Sequence, residues 1–265
     1  FVTKDTIREN SKSKFFSDSD LKKIDSLLVY EKFNSSLIDT LVYVIVDKDI
    51  IGSSETVLTT ALLKQRLADL DKTTPFNLAF NPALQKVINS YLRHRKKYYP
   101  ALMAKAKYYF PMFEQYLDQY DIPLEMKYLA IVESALRPKV KSRVGATGLW
   151  QFMYGTGKQF DLKVSSYVDE RQDPVKATIA ACKYLSQLFT AFGDWDLALA
   201  AYNSGPGNVS KAIRRSGGYT NYWNIRPYLP RETAGYVPAF LATMYIFEYS
   251  EEHGFKSNGP RIPYI

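Results

Sequence analysis

From about residue 58 onward, apolar residues recur every three or four positions and are interrupted by short polar, proline or glycine breaks. "SETVLTTALLKQRLADLDK" places Leu58, Leu62, Leu63, Leu67 and Leu70 on one side of an amphipathic helix. "KTTPFNLAFNP" (72–82) breaks the pattern, with Pro75 and Pro82 at its bounds. Helical spacing then returns over about 83–97, 100–120 and 124–135, before a loop at 137–149. A short helix is expected near 155–161. A longer one over about 174–192 opens on Asp173-Pro174, an N-cap with proline at the first helical position. "DWDLALAAYN" (194–203) and "GPGNVSKAIRRSGG" continue the series, and a last helix is expected from Arg231 to about Glu252, stopping near Gly254.

Upstream, "SDSDLKKIDSLLVYEKF" carries Leu21, Ile24, Leu27 and Leu28 behind cap residues, again helical spacing. "LVYVIV" (41–46) is short and β-branched and reads as a strand or a buried connector. The pattern predicts an all-α globule from about residue 80. Residues 1–75 form an N-terminal helical arm and 76–265 the main domain, without internal repeats.

Composition narrows this picture. With 265 residues, 46% hydrophobic and 15% aromatic, the chain can bury a proper core. No apolar run reaches the roughly 18–20 residues that a membrane-spanning helix needs. The chain begins with Phe1, so a targeting signal is expected to have been removed or to lie outside it, and no compartment follows from its absence. One cysteine, Cys182, excludes an internal disulfide, and in the apolar run "TIAACKYL" it reads as a small buried thiol. With His94 and His253 as the only histidines, no Cys/His zinc site can be assembled. No cofactor is implied.

The formal charge of +8 favours a polyanionic partner: nucleic acid, an anionic lipid surface or an acidic glycan. "RHRKKYY" (93–99) sits on an expected helix, where a solvated basic face is the commoner meaning, and no nucleic-acid-binding module is present. "GTGK" (155–158) fails as a phosphate loop. That motif needs glycine where this chain has Phe152, and serine or threonine where it has Gln159.

Candidate chemistry gathers in the second half. "LAIVESALRPKVKSRVGATGLWQF" (129–152) ends an apolar helical run on Glu133 and Ser134, then enters a loop of small, basic and glycine residues. An acid beside Ile131 and Val132 is partly desolvated, which raises its pKa toward the range of a general acid. "GATGLWQF" offers a turn where backbone can approach a ligand, with Trp150 and Gln151 beside it. "LAAYNSGPGNV" ends a helix on Tyr202 and Asn203, and "RETAGYV" sets Glu232 and Tyr236 four apart on one helix face. Each has a plain structural reading as well. Trp150 and Tyr202 suit core packing, Asn203 a helix C-cap, and Glu232 a first-turn acid facing the helix dipole.

An acid-serine pair, a small-residue loop ending G-L-W-Q, then A-Y-N-S-G, then E-T-x-x-Y-V, in that order, resembles the signature of the lytic transglycosylases. These are lysozyme-like enzymes that cleave peptidoglycan. The resemblance spans roughly 65–250 and is strongest to the membrane-bound D-type branch, which accepts tryptophan where others carry methionine, at Trp150. It implies a lysozyme-like helical fold with a catalytic cleft in 76–265, and Glu133 as the single catalytic acid/base. By the same resemblance Ser142 contacts the reacting muramoyl sugar, and Gln151, Met153 and Thr156 line sugar subsites. Tyr202 and Asn203 floor the cleft, while Glu232 and Tyr236 form a supporting pair whose tyrosine hydroxyl holds the acid. Ser134 is expected to stabilise the local backbone.

Ordinary glycosidases use two carboxylates. The matched pattern supplies one, so it would act as acid on the glycosidic oxygen and then as base on the C6 hydroxyl of the same sugar, giving a 1,6-anhydro product. The 2-acetamido group of the substrate would meet the charge at the anomeric carbon. A lysozyme-type hydrolase is the near rival, with Asp169, Glu170 or Asp194 as sources of a second carboxylate. A catalytically silent peptidoglycan-binding module is the rival from another class. Peptidoglycan strands are the implied partner, and a bacterial cell envelope the implied location. The resemblance allows membrane anchoring through a removed N-terminal segment and specifies no oligomeric state.

Overall fold

Among the described residues, the first helix starts where Thr59 Oγ1 accepts the Leu62 N–H at 3.2 Å, satisfying a donor that the first turn leaves without an intrahelical partner. The computed structural model describes residues 58–255, so the upstream helix and the 41–46 stretch expected from the sequence lie outside the described residues. Helix α1 (Thr60–Asp71) buries Leu63 and Leu67 completely. They share one core with Phe76, Val87, Phe113 and Phe240, so residues on both sides of position 75 belong to that core.

The next helices follow the same logic of cap and periodic burial. Asn81 Oδ1 accepts the Leu84 N–H at 2.8 Å and opens α2 (Pro82–His94). This helix buries Leu84, Val87, Ile88 and Tyr91, one face of a 3.6-residue repeat. Helix α3 (Tyr99–Gln119) tolerates Pro111 because Pro111 and Lys107, whose carbonyl it leaves without a donor, both lie on the exposed face. The helix expected over 124–135 divides in two. A 3-10 turn over Leu124–Tyr128 follows Pro123, and α4 (Leu129–Ser134) carries on from it.

After the loop come α5 (Tyr154–Gln159) and α6 (Pro174–Phe192), the latter capped by Asp173 Oδ1 on the Lys176 N–H at 2.9 Å. Gly193 closes α6 in the left-handed region, with φ 65°. Then follow α7 (Trp195–Ser204), α8 (Pro206–Arg215), α9 (Tyr222–Ile225) and α10 (Arg231–Glu248). Helix α10 is buried on all sides from Tyr236 to Ile246 and packs against α2, α4 and α7, as expected of an apolar helix at the centre of a fold.

Pro238 sits inside α10 and cannot donate to the Ala234 carbonyl. Two side chains replace the missing donor: Tyr222 Oη at 2.9 Å and Arg226 Nε at 2.7 Å. Tyr222 opens α9 and Arg226 follows its last residue, so this short helix carries both groups to the interrupted turn. Helix α10 ends at Glu248, earlier than the periodicity predicts. The chain turns through Gly254 at φ 71°, which lets Phe255 pack on Tyr99 with ring centroids 5.0 Å apart. Among the described residues β pairing is limited to the isolated bridges 141–147, 147–152 and 164–169. The fold is all-α.

Candidate active site

Helix α4 stops immediately behind Glu133. Ala135 and Leu136 both adopt left-handed backbone, with φ 50° and 55°, which costs a residue with a Cβ on the order of 1 kcal/mol each. The turn is held from several directions. Ser134 Oγ donates to the Ala130 carbonyl at 2.9 Å and accepts the Arg137 N–H at 3.3 Å. Arg137 Nε donates to the Ser134 carbonyl at 3.1 Å, and Lys105 Nζ to that of Ala135 at 3.3 Å. Ser134 thus braces the local backbone, and Glu133 is left half-buried at the helix end.

Tyr236 Oη, from the buried face of α10, donates a hydrogen bond to Glu133 Oε1. Burial first, and the Glu133 charge second, hold the Tyr236 phenol well above its usual value, so it stays a neutral donor. Tyr202 is buried beside them and shifted in the same direction by the same two causes. Its hydroxyl donates to the Trp150 carbonyl at 2.8 Å. Trp150 is wholly buried, with Nε1 on Thr178 Oγ1 at 3.0 Å, so its role is packing.

The other pair on α7 and α10 forms a latch. Asn203 Nδ2 donates to Glu232 Oε1 at 3.1 Å, and Thr233 Oγ1 donates to Asn203 Oδ1 at 2.8 Å. Glu232 therefore reaches the Asn203 amide, while Tyr236 alone of the expected pair bonds Glu133.

The loop after α4 is closed by its own side chains. Ser142 Oγ accepts the Ala146 N–H at 3.0 Å, and Gln151 Nε2 donates to the Gly148 and Val140 carbonyls at 2.8 and 3.3 Å. Gln151 is half-buried, whereas Ser142, Met153 and Thr156 are buried. Sequence reasoning missed the residue that anchors this loop, Arg171. Its Nη1 donates to the Gly145 and Phe152 carbonyls at 3.0 and 3.1 Å, while Nε and Nη2 grip Asp169 at 2.9 and 2.7 Å. A Cβ on Gly148 would stand 1.8 Å from the Arg171 carbonyl oxygen, so only glycine fits. The one signal in the sequence was that glycine.

The carboxylates considered as a second catalytic acid are engaged elsewhere. Arg171 holds the Asp169 carboxyl below its ordinary range. Glu170 accepts Lys176 Nζ at 2.5 Å and the Lys163 N–H at 2.7 Å. Asp194 caps α7 through the Leu197 N–H at 2.8 Å. Cys182, fully buried in α6, has its thiol pushed up to about 12 by burial. Among the described residues no group of three His, Cys, Asp or Glu side chains could hold a metal ion.

Beside Glu133 opens a pocket of about 410 Å³, lined by Tyr98, Leu102, Lys105, Arg137 and Tyr236 among others. One half-buried carboxylate, gripped by a neutral phenol and facing an open pocket, can give and retake a proton.

Residues 111–224 match the family model described as the transglycosylase SLT domain. The chain is 36% identical over 180 residues to membrane-bound lytic murein transglycosylase D of Escherichia coli (strain K12), covering 66% of this chain and 39% of that protein. It is 34% identical over 148 residues to the soluble lytic murein transglycosylase of the same organism, covering 53% of this chain and 23% of that protein. The chain therefore spans well under half the length of these relatives. Among solved structures, the 70-kDa soluble lytic transglycosylase in complex with bulgecin A aligns with a TM-score of 0.50 at 21% identity, over 90% of this chain and 47% of that one, a likeness of fold. Over residues 111–224 this chain is thus similar to the transglycosylase SLT domain, and more widely to these lytic murein transglycosylases.

Proposed function

We propose that this chain cleaves the β-1,4 linkage between N-acetylmuramoyl and N-acetylglucosaminyl units of peptidoglycan without water, leaving 1,6-anhydro-muramoyl ends. The observation that carries the reading is the Tyr236–Glu133 hydrogen bond at the pocket, with Asp169, Glu170 and Asp194 all engaged in structural roles. Glu133 protonates the glycosidic oxygen as the bond to the anomeric carbon breaks, and the acetamido oxygen of the substrate supports the developing charge. The Glu133 carboxylate, stabilised by the Tyr236 donor, then takes the proton of the C6 hydroxyl as that oxygen bonds to the same carbon. Glu133 ends protonated as it began, and no water is consumed.

Attack within one sugar supports this outcome over hydrolysis, because effective molarities of oriented intramolecular reactions reach about 10⁵ M or more. Ser142 and Gln151 shape the loop that faces the sugar, with Met153 and Thr156 supporting it from below. Tyr202 and Asn203 fix α7 under the acid. On this reading the chain acts in a bacterial cell envelope, a location that the relatives' names as murein transglycosylases support. No helix among the described residues is long and apolar enough to cross a membrane.

The test is mass spectrometry of muropeptides released from purified sacculi by the wild-type chain and by Glu133→Gln. Anhydro-muramoyl products from the first and none from the second are expected. Anhydro products from both would remove Glu133 from its assigned role.

A further inference from the structure

Tyr202 has one hydroxyl proton and two candidate acceptors for it. It donates to the Trp150 carbonyl at 2.8 Å. The Glu133 carboxylate is also near, since its charge is the second cause, after burial, of the raised Tyr202 phenol. A carboxylate is the stronger acceptor of the two. The carbonyl therefore keeps the proton only while Trp150 is held in place. With that proton spent, Tyr202 Oη offers the acid lone pairs alone.

The Trp150 ring packs in the core, and its position is set from α6. Indole Nε1 donates to Thr178 Oγ1 at 3.0 Å, and Thr178 Oγ1 donates in turn to the Pro174 carbonyl at 2.6 Å, in the first turn of that helix. Thr178 and Trp150 are both wholly buried, so these bonds are made away from solvent. Gln151 follows in the left-handed region at φ 48°, which sets the plane of the peptide that carries the Trp150 carbonyl. The same helix steadies the other part of Tyr202, whose ring packs on Tyr184 with centroids 5.1 Å apart. Tyr236, by contrast, gives its proton to Glu133. A protonated carboxyl has an acceptor oxygen and an O–H donor. One donor phenol and one acceptor phenol match it, whereas two donor phenols would match the carboxylate.

We propose that Thr178 is a positioning residue for the acid: through Trp150 it keeps Tyr202 as an acceptor toward Glu133, favouring the protonated form that starts the reaction. The inference rests on the peptidoglycan reading above and adds a residue in contact with neither substrate nor Glu133. Without the Thr178 hydroxyl, the indole loses its anchor, Tyr202 turns its proton to Glu133, and two donors hold the carboxylate.

Steady-state kinetics on soluble peptidoglycan strands, with Thr178→Val, Thr178→Ser, Tyr202→Phe and the Thr178→Val/Tyr202→Phe double variant, test the proposal. Thr178→Val should lower kcat about tenfold, the upper end of what one neutral hydrogen bond supplies, with KM little changed. Thr178→Ser keeps the hydroxyl and should retain most of the turnover. In the Tyr202→Phe background, Thr178→Val should have no further effect on kcat, although it should lower the melting temperature as much as in the parent. Trp150→Phe keeps the ring and removes the indole donor, so it should reproduce the loss even where Thr178→Val fails to fold.

Parental kcat in Thr178→Val or Trp150→Phe overturns the proposal. So does a loss that multiplies with that of Tyr202→Phe, a serine variant as slow as the valine one, or a raised KM at parental kcat, which is what a merely loosened loop would give. A wild-type chain without turnover sinks the peptidoglycan reading and this inference together. An active wild type indifferent to Thr178→Val sinks this inference alone.

Discussion

Replacing Arg171 with methionine removes the anchor of the loop that carries Ser142 and Gln151, and the structure sets the scale of the damage. Methionine keeps the apolar stem that packs against Gly157. It removes both links to Asp169 and the donors to the Gly145 and Phe152 carbonyls. Breaking a buried ion pair by deleting one partner costs roughly 3–5 kcal/mol; the Gly145 and Phe152 carbonyls keep Thr147 Oγ1 and the Thr147 N–H as donors at 3.0 Å, so each loses one hydrogen bond worth about 0.5–1.5 kcal/mol. The Asp169 side chain keeps 21% of its exposure, so water screens the orphaned charge and the lower ends apply. A loss of about 4 kcal/mol corresponds to a fall of about 8–16 °C in melting temperature for a domain of this size.

Thermal unfolding followed by circular dichroism reads this directly. Arg171→Lys keeps the charge but cannot span Asp169 and two carbonyls at once, so it should fall between the parent and Arg171→Met. Asp169→Asn combined with Arg171→Met should cost less than the two losses added, with a coupling of about 2 kcal/mol. Asp169 has its carboxyl held below the usual carboxylate range, chiefly by the Arg171 hydrogen bonds. Its contribution is therefore complete above about pH 4 and is lost as pH falls through the folded value. Asp169→Asn should flatten the stability profile in that acid window. A fall of less than about 4 °C in Arg171→Met, or simple additivity in the double variant, would refute this account of the loop.

Three further outcomes follow from the same packing. Gly148→Ala should abolish the folded loop and most activity, because its Cβ would lie 1.8 Å from the Arg171 carbonyl at a φ of 88°. A soluble Gly148→Ala protein with parental melting and turnover would contradict that. Tyr236→Phe removes one hydrogen bond to a charged group, worth about 1.5–3 kcal/mol, so kcat should fall about 10- to 100-fold with KM little changed. An unaltered kcat would detach Tyr236 from the chemistry. Cys182 is fully buried with its thiol pushed up to about 12, so a disulfide reagent at pH 8 should label it only at the rate of unfolding. Rapid labelling of the native protein would be incompatible with the α6 packing described.

The sequence made the helical frame legible because each helix carries its own cap and apolar repeat. Asn81, Asp173 and Asp194 start helices where the pattern puts them. It also brought Glu133 and Tyr236 within one argument, 103 residues apart, through ordered motifs rather than through periodicity. What it concealed depends on long-range satisfaction of backbone groups. Arg171 serves carbonyls 19 and 26 residues away, and nothing local distinguishes it from a surface arginine in "DERQDP". The same run misleads about Asp169 and Glu170, since free carboxylates and loop anchors look alike until their partners are placed. Tyr222 and Arg226 likewise gain their meaning only from the carbonyl that Pro238 leaves without a donor. The early end of α10 reflects the return of Phe255 to Tyr99, a tertiary contact that overrides helical propensity.

The central claim is cleavage without water by a single acid/base. Digestion of purified peptidoglycan in water enriched in oxygen-18 tests it most directly, with the products resolved by mass spectrometry. The account predicts 1,6-anhydro-muramoyl ends with no heavy oxygen and no new reducing ends. Reducing muramoyl ends carrying one oxygen-18 at the anomeric carbon would contradict it, and would call for a second base beside Glu133.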